Sequence, residues 1–377
     1  MVLGLALSGP AIGADIEVVH ETILERGVYA DAKAIARMTD GGYVIAGSIP
    51  GIRAGWATKV DAKGNPQWRY VLPPEKPNPD GLPPAFTAVA AMPDGGALLC
   101  GYTATGAGPI STANVGVLVR MDTAGKVLGK QILYPKGDER LGGRFEKCTN
   151  WDGGFAVVGH AGRSYWVMAV NADIGIRWEK LVPIGLDNTD DYSRPLVLPN
   201  QDLVFSATRR GGEILTEVVR VNLQGEVQAQ RKLLGHFFLV QPSAPDSVIL
   251  LMACHYGPRR GTLLRIGTKL EEIEAQAVDL SSGHICRGAY MLSDRSLVLF
   301  GHSPMVGRDM ASIIKKSPLL RAEKEYLFPP RHSWWIDDAV PTGNPGEFAT
   351  VRKVQPPSYD EANRNFQGTG LTIIRIK

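Results

Sequence analysis

The stretch that decides the fold is TDGGYVIAGS (Thr39–Ser48), in which an Asp-Gly-Gly turn leads into an apolar, β-branched run. Similar stretches return as PDGGALLCGY (Pro93–Tyr102) and WDGGFAVVGH (Trp151–His160). Asp and Gly supply the side-chain acceptor and the positive φ that tight turns need, and a short β-branched run is typical of a strand. The sequence therefore repeats one turn and one strand.

The repeat continues along the chain when it is aligned on the polar turn residue. The seven turn residues are Asp40, Asp94, Asp152, Asn200, Asp246, Asp294 and Asn344, roughly fifty residues apart. Each unit adds a third run such as GWATKVD, a second turn such as AKGNPQW (Ala62–Trp68), and a fourth run such as QWRYVL (Gln67–Leu72). Four short antiparallel strands per unit, without helical periodicity, predict the blades of a β-propeller.

A solenoid is the alternative, and the ends of the sequence favour the propeller. The last unit stops at its third strand, LTIIRIK (Leu371–Lys377), whereas DIEVVHETIL (Asp15–Leu24) precedes the first unit. If this N-terminal strand completes the last blade, the ring closes and its free edges disappear. We therefore predict an all-β, seven-bladed β-propeller of four-stranded antiparallel blades, closed by the N-terminal strand, as a single domain over residues 15–377.

The pattern DGGYVIAG…GWATKVDAKGNPQW also resembles the repeats of exported bacterial seven-bladed β-propeller proteins. The match is good in the first unit, recognisable in the second and third, and eroded in the last four, where the Gly pair is absent. The resemblance implies the fold. It implies little about activity, because this architecture hosts many unrelated functions.

Composition and the N-terminus indicate where the protein works. Lys and Arg number 41 against 38 Asp and Glu, so no strong basic field indicates nucleic acid as a partner. Residues 1–14 (MVLGLALSGPAIGA) have the apolar run and small residues of a signal peptide, which predicts a periplasmic or secreted protein. The run lacks a preceding basic residue, and a disordered apolar N-terminus is the alternative. No other segment is long and apolar enough to predict a transmembrane span.

The two faces of the predicted propeller differ in the length of their connections. The turns between first and second and between third and fourth strands are short and share one face, the short-turn face; the long connections lie on the other, the long-loop face. Loops on a rigid scaffold are common recognition sites, and Tyr, Trp and Arg are enriched in interface hot spots. The candidate partner-binding residues are Arg163, Tyr165, Tyr192, Arg209, Arg210, His255, Tyr256, Arg259, Arg260, His302, Arg308, His332, Trp334 and Trp335. Packing within the blades is the alternative for the aromatic residues, and simple solvation for the Arg pairs.

The sequence lacks motifs for a metal or cofactor. Its His residues are dispersed, and it has no CxxC, HExxH, P-loop or GxSxG, so we expect no cofactor and no metal site. The acidic run Asp187–Asp191 offers oxygen ligands for Ca²⁺, but a solvated loop explains it as well. Five charged residues interrupt the otherwise small and apolar innermost strands: Glu146, Lys147, Arg287, Asp337 and Asp338. They either form a polar channel mouth or pair with one another.

Four cysteines fall at matching heights on neighbouring blades. This placement predicts the disulfides Cys100–Cys148 and Cys254–Cys286 in an exported protein, with buried free thiols as the alternative.

Two hypotheses of function follow. The first is a non-enzymatic exported binding protein, monomeric alone, whose long-loop face engages a protein partner, as a toxin neutraliser or an envelope scaffold. The second is a hydrolase or lyase acting on a glycan at the channel mouth, with His255, His302 or His332 and Asp337 or Asp338 as acid and base. The absence of a clustered reactive constellation favours binding.

Overall fold

The computed structural model is an all-β propeller. It describes residues 16–24, 30–74, 83–104, 114–136, 142–184, 189–209, 213–242, 249–254, 260–280, 285–305, 308–317, 323–328, 336–354 and 368–376. These residues form seven sheets, antiparallel except for one short parallel pair between Gln241–Pro242 and Ile285–Met291, and their only helix is the short 3₁₀ turn Pro50–Ile52. No helix in these ranges has the length and hydrophobicity of a membrane span. The predicted fold class is confirmed.

Each sheet is a blade that runs from an inner strand at the channel to an outer strand at the rim. Before the first blade comes β1 (Ile16–Ile23). Blade 1 contains β2 (Asp31–Arg37), β3 (Tyr43–Ile49), β4 (Ala54–Val60) and β5 (Pro66–Leu72). Blade 2 contains β6 (Ala85–Ala91), β7 (Ala97–Ala104), β8 (Asn114–Met121) and β9 (Val127–Leu133). Blade 3 contains β10 (Arg144–Trp151), β11 (Gly154–Ala161), β12 (Ser164–Val170) and β13 (Ile176–Pro183).

Blades 4 to 7 follow the same order, and the inner strands of blades 4 and 5 are divided. Blade 4 contains β14 (Thr189–Tyr192), β15 (Leu196–Val197), β16 (Leu203–Arg209), β17 (Leu215–Val221) and β18 (Val227–Leu234). Blade 5 contains β19 (Phe237–Leu239), β21 (Ile249–Cys254), β22 (Arg260–Ile266) and β23 (Glu272–Asp279), while β20 (Gln241–Pro242) joins blade 6. Blade 6 contains β24 (Ile285–Met291), β25 (Leu297–Met305), β26 (Arg308–Lys316) and β27 (Glu323–Leu327). Blade 7 contains β28 (Ile336–Pro341), β29 (Glu347–Val354) and β30 (Gly368–Ile376).

The N-terminal strand closes the ring, as predicted. β1 pairs antiparallel with β30 and becomes the outer strand of blade 7. It also packs against blade 1, because a Cβ on Gly64 would lie 2.7 Å from the Thr22 hydroxyl. The last blade is thereby joined to the first.

The repeated turn residues stabilise the short-turn face. The Asp40 carboxylate accepts a hydrogen bond from the Gly42 amide at 2.9 Å, and it forms an ion pair with Lys59 at 2.5 Å. In blade 2 the equivalent pair is Asp94 with Arg120, at 2.9 Å. These contacts join the first turn of a blade to its third strand, so the recurrence of TDGG is structural.

Apolar residues fill the spaces between neighbouring blades. Trp178 of blade 3 packs over Gly225 of blade 4, where a Cβ would lie 2.7 Å from the indole ring. The indole Nε1 of Trp178 donates a hydrogen bond to the Leu223 carbonyl at 2.8 Å. Trp68 covers Gly125 in the same way. The middle strands are therefore buried on both faces; every residue of β3 and β4 is buried.

Candidate functional site

A β-bulge recurs in the inner strands. Six of the seven inner strands contain one extra residue near the long-loop face, the exception in the described chain being β19 of blade 5. The extra residues are Lys33, Thr87, Glu146, Asp190, Arg287 and Asp337. All are polar or charged. Bulges redirect side chains and are frequent beside binding and active sites.

Glycine on the second strand permits this bulge in four blades. The residues paired with the position before the bulge are Gly47, Gly101, Gly159 and Gly301. A Cβ at any of them would lie 1.9 to 2.0 Å from a carbonyl oxygen of the bulged strand, far inside contact distance. Sequence reasoning missed the bulge, although its signal is the Gly that closes YVIAG, ALLCG, FAVVG and LVLFG.

The bulge lets consecutive residues face the channel. Asp337 and Asp338 line the same cavity, which the strict alternation of a regular strand would not allow. We call the ring of Lys33, Glu146, Lys147, Asp191, Arg287 and Asp337 the channel mouth; it lies at the long-loop ends of the inner strands. The prediction of a polar channel mouth agrees with the structure, because these residues gather at or just below the mouth. The alternative of mutual ion pairs does not hold for Glu146 and Asp338, whose ion-pair partners are Arg144 and Arg194.

Blade 3 contributes a buried charge cluster to the mouth. Glu146 forms an ion pair with Arg144, and its Oε1 lies 3.8 Å from Nδ1 of His160. Burial raises the pKa of the Glu146 carboxyl above its usual value, and Arg144 partly opposes this. Burial, reinforced by Arg144, lowers the pKa of His160 to about 4, so the imidazole is neutral at pH 7. The imidazole ring of His160 stacks on the Tyr192 ring, with the two ring centroids 6.1 Å apart.

Below the mouth, one network crosses the channel. Arg194 of blade 4 donates to Asp338 of blade 7 at 2.7 Å, to the Ile35 carbonyl of blade 1 at 3.1 Å and to the Tyr290 hydroxyl of blade 6 at 3.2 Å. Tyr290 in turn donates to the Ala339 carbonyl at 2.7 Å. Burial opposes the charge on Arg194, but Asp338 outweighs it and raises the pKa of the guanidinium. This channel clamp joins four blades.

A small cavity lies between the mouth and the clamp, beside blade 5. Its volume is about 80 Å³, and its polar lining includes Lys147, Asp191, His236, Arg287 and Asp337. Small-molecule sites usually measure about 300–1,000 Å³. The cavity described here is therefore too small for a sugar chain. In the ranges that the structure describes, no group of three or more His, Cys, Asp or Glu side chains is arranged to hold a metal ion.

The predicted partner-binding residues have different outcomes. Arg163 is exposed in the turn between β11 and β12, and Arg209 is half-buried at the end of β16, where it donates to the Glu213 carbonyl at 3.2 Å. Arg260 and Arg308 begin β22 and β26 at the long-loop face. The others lie outside the described residues: Arg210, His255, Tyr256, Arg259, His332, Trp334 and Trp335.

Three predicted binding residues are instead buried, which corrects their assignment to an exposed surface. Tyr165 has no exposed surface; its ring contacts Phe205 at 5.4 Å, and its hydroxyl donates to Glu217 at 2.9 Å. His302 is 6% exposed, and Tyr192 is 9% exposed but still lines the cavity. The reason is that their strands pack against a neighbouring blade, which covers side chains near the strand ends.

The cysteine prediction is corrected in part. Cys100 and Cys148 are buried free thiols, not a disulfide. Burial raises the pKa of the Cys100 thiol well above its ordinary value, as does its hydrogen bond with Cys148, so the two residues meet as predicted. Cys286 is disulfide-bonded. The side chain of Cys254 lies outside the described residues, and the Cys254–Cys286 pairing stays a prediction.

Comparison with known proteins supports the fold alone. No protein-family model matches the chain, and no curated protein matches it by sequence. Among solved structures, the Dos1 propeller is similar with a TM-score of 0.55 at 8% identity, covering 94% of this chain and 81% of that one. The polysaccharide lyase Uly1 is similar with a TM-score of 0.53 at 10% identity, covering 94% and 91%. Propellers with different roles therefore share this architecture.

Proposed function

We propose that the chain is a non-enzymatic exported binding protein that engages a protein partner through its long-loop face. The observation that carries the proposal is the channel mouth, where charged groups form ion pairs above a clamped channel and the described residues enclose a cavity of about 80 Å³. A mouth that is nearly filled suits contact with a surface better than enclosure of a substrate. The N-terminal apolar segment supports export to the periplasm or beyond.

The rim of the same face offers the residue type that anchors interfaces. Arg163 lies in the turn between the second and third strands of blade 3, and Arg209 ends the second strand of blade 4. Arg260 and Arg308 begin the third strands of blades 5 and 6. Arginine is enriched at interface hot spots because its planar guanidinium forms several hydrogen bonds at once. A secreted toxin or an envelope component is the partner class that we propose for an exported protein of this kind.

The glycan-enzyme alternative lacks a supporting observation. Asp338 is held by Arg194 in the channel clamp, and His302 is buried within blade 6. His255 and His332 lie outside the described residues. The likeness to Uly1 is a likeness of fold at 10% identity and transfers no activity.

The test is the isolation of a stoichiometric complex, followed by charge reversal. Replacing Arg209 and Arg210 together by Glu should lower partner affinity by about tenfold or more, because like-charge contacts and lost hydrogen bonds both weaken binding. The matched control replaces Lys126 and Lys269, exposed on the short-turn face, by Glu and should bind as the wild type does. Absence of any stoichiometric complex, or equal affinity of all variants, would contradict the proposal.

A further inference from the structure

The carboxylates in and around the channel mouth lie close to basic side chains. Asp31 lies 2.5 Å from Lys33, and Asp338 lies 2.7 Å from Arg194. Glu146 is paired with Arg144. Asp191 lies 3.9 Å from the Arg287 guanidinium and 3.4 Å from the His236 ring, and Asp337 interacts electrostatically with Lys33. Each of these carboxylates therefore has a basic side chain in its neighbourhood.

Lys147 differs from the other cations of the mouth. It lines the cavity directly after the bulge at Glu146, and it interacts electrostatically with Glu146, whose carboxylate already pairs with Arg144. From the opposite wall Arg287 lines the same cavity, and its Nη1 lies 3.9 Å from Oδ1 of Asp191, a long distance for an ion pair. Two cations therefore face one small space from blades 3 and 6.

We propose that this cavity binds a single carboxylate, the tip of an Asp or Glu side chain that the protein partner inserts between Lys147 and Arg287. The inference rests on the proposed function and names the chemistry of the partner's anchor. The volume of about 80 Å³ equals several water-sized spaces, enough for a carboxylate and its neighbouring carbon. The channel clamp closes the inner end, so the group enters from the long-loop face.

The cavity can be tested without the partner, with acetate as the probe. Thermal unfolding is followed over an acetate titration at constant ionic strength, with chloride as the replaced anion. We expect a saturable rise of Tm for the wild type, since a ligand that binds only the folded state stabilises it. Lys147→Gln and Arg287→Gln should each abolish the saturable part, Lys147→Arg should retain it, and the surface control Lys126→Gln should behave as the wild type.

Three results would overturn the inference: no saturable rise in the wild type, an equal rise in Lys147→Gln, or a saturable rise with inorganic phosphate but not with acetate. Partner binding separates this inference from the proposed function. If Arg209→Glu with Arg210→Glu weakens the complex but acetate does not bind, the proposed function stands and only the carboxylate site in the cavity is wrong. If acetate binds through Lys147 but no stoichiometric complex exists, the cavity is a carboxylate site, whereas the proposed function and the partner as the source of the carboxylate are wrong.

Discussion

The short-turn face and the channel mouth are built from the same repeat but differ in what is repeated. On the short-turn face the side chains themselves recur: Asp40 pairs with Lys59 in blade 1, and Asp94 pairs with Arg120 in blade 2. At the mouth the β-bulge recurs but its side chain does not, because the extra residue is Lys33 in blade 1 and Glu146 in blade 3. The side chains therefore repeat where they stabilise the turns, and they vary at the mouth, where we propose that the partner binds.

The largest expected effect comes from disrupting the β-bulge of an inner strand. In Gly159→Ala, the new Cβ would lie 1.9 Å from the Arg144 carbonyl oxygen, so the bulge must open. We expect a loss of about 3–5 kcal/mol in the free energy of unfolding, measured by chemical denaturation. The control Gly51→Ala adds a Cβ with no atom within 4 Å and should change stability by less than about 0.5 kcal/mol. Similar values for both variants would contradict the role of glycine opposite the bulge.

The next effect tests the channel clamp. Arg194→Met leaves the Asp338 carboxylate without its guanidinium partner, and we expect a loss of about 3 kcal/mol because an uncompensated charge remains partly buried. Adding Asp338→Asn to Arg194→Met should restore part of that loss, since the charge is then gone. If the double variant is as unstable as the sum of the two single variants, the residues do not act as a pair.

A smaller effect is expected from pH. His160 has a pKa of about 4 in the folded protein, whereas an unfolded chain has a His pKa of about 6.5. Between these values the unfolded chain binds a proton that the folded protein does not, so stability falls as the pH decreases from about 6.5 to 4. His160→Gln should reduce this fall by about 1–2 kcal/mol, measured by denaturant unfolding at a series of pH values. Parallel curves for wild type and variant would rule out the contribution.

The sequence predicted the seven blades, their turns and the closing strand because turn chemistry and strand spacing are local properties. It did not reveal that Tyr165 is buried, since a middle strand that is covered on both faces, such as β4, loses the alternation that separates core from surface. The bulges were missed because a bulge is defined by the pairing register between two strands, which the pattern of a single strand does not reveal. Four charged residues of the mouth were recognised because they interrupt inner strands made otherwise of small apolar residues: Glu146, Lys147, Arg287 and Asp337. Lys33 was not recognised, and Asp191 was assigned only to the acidic run Asp187–Asp191.

The division between the two faces is tested most directly by hydrogen exchange of the protein alone and in its partner complex. We expect partner-dependent protection in segments at the long-loop face, such as residues 49–54, 162–164 and 209–215, and around Lys147 at the mouth. The turns at residues 38–42, 61–65 and 122–126 on the short-turn face should exchange equally in both states. Protection confined to those turns, with none at the long-loop face, would contradict the account.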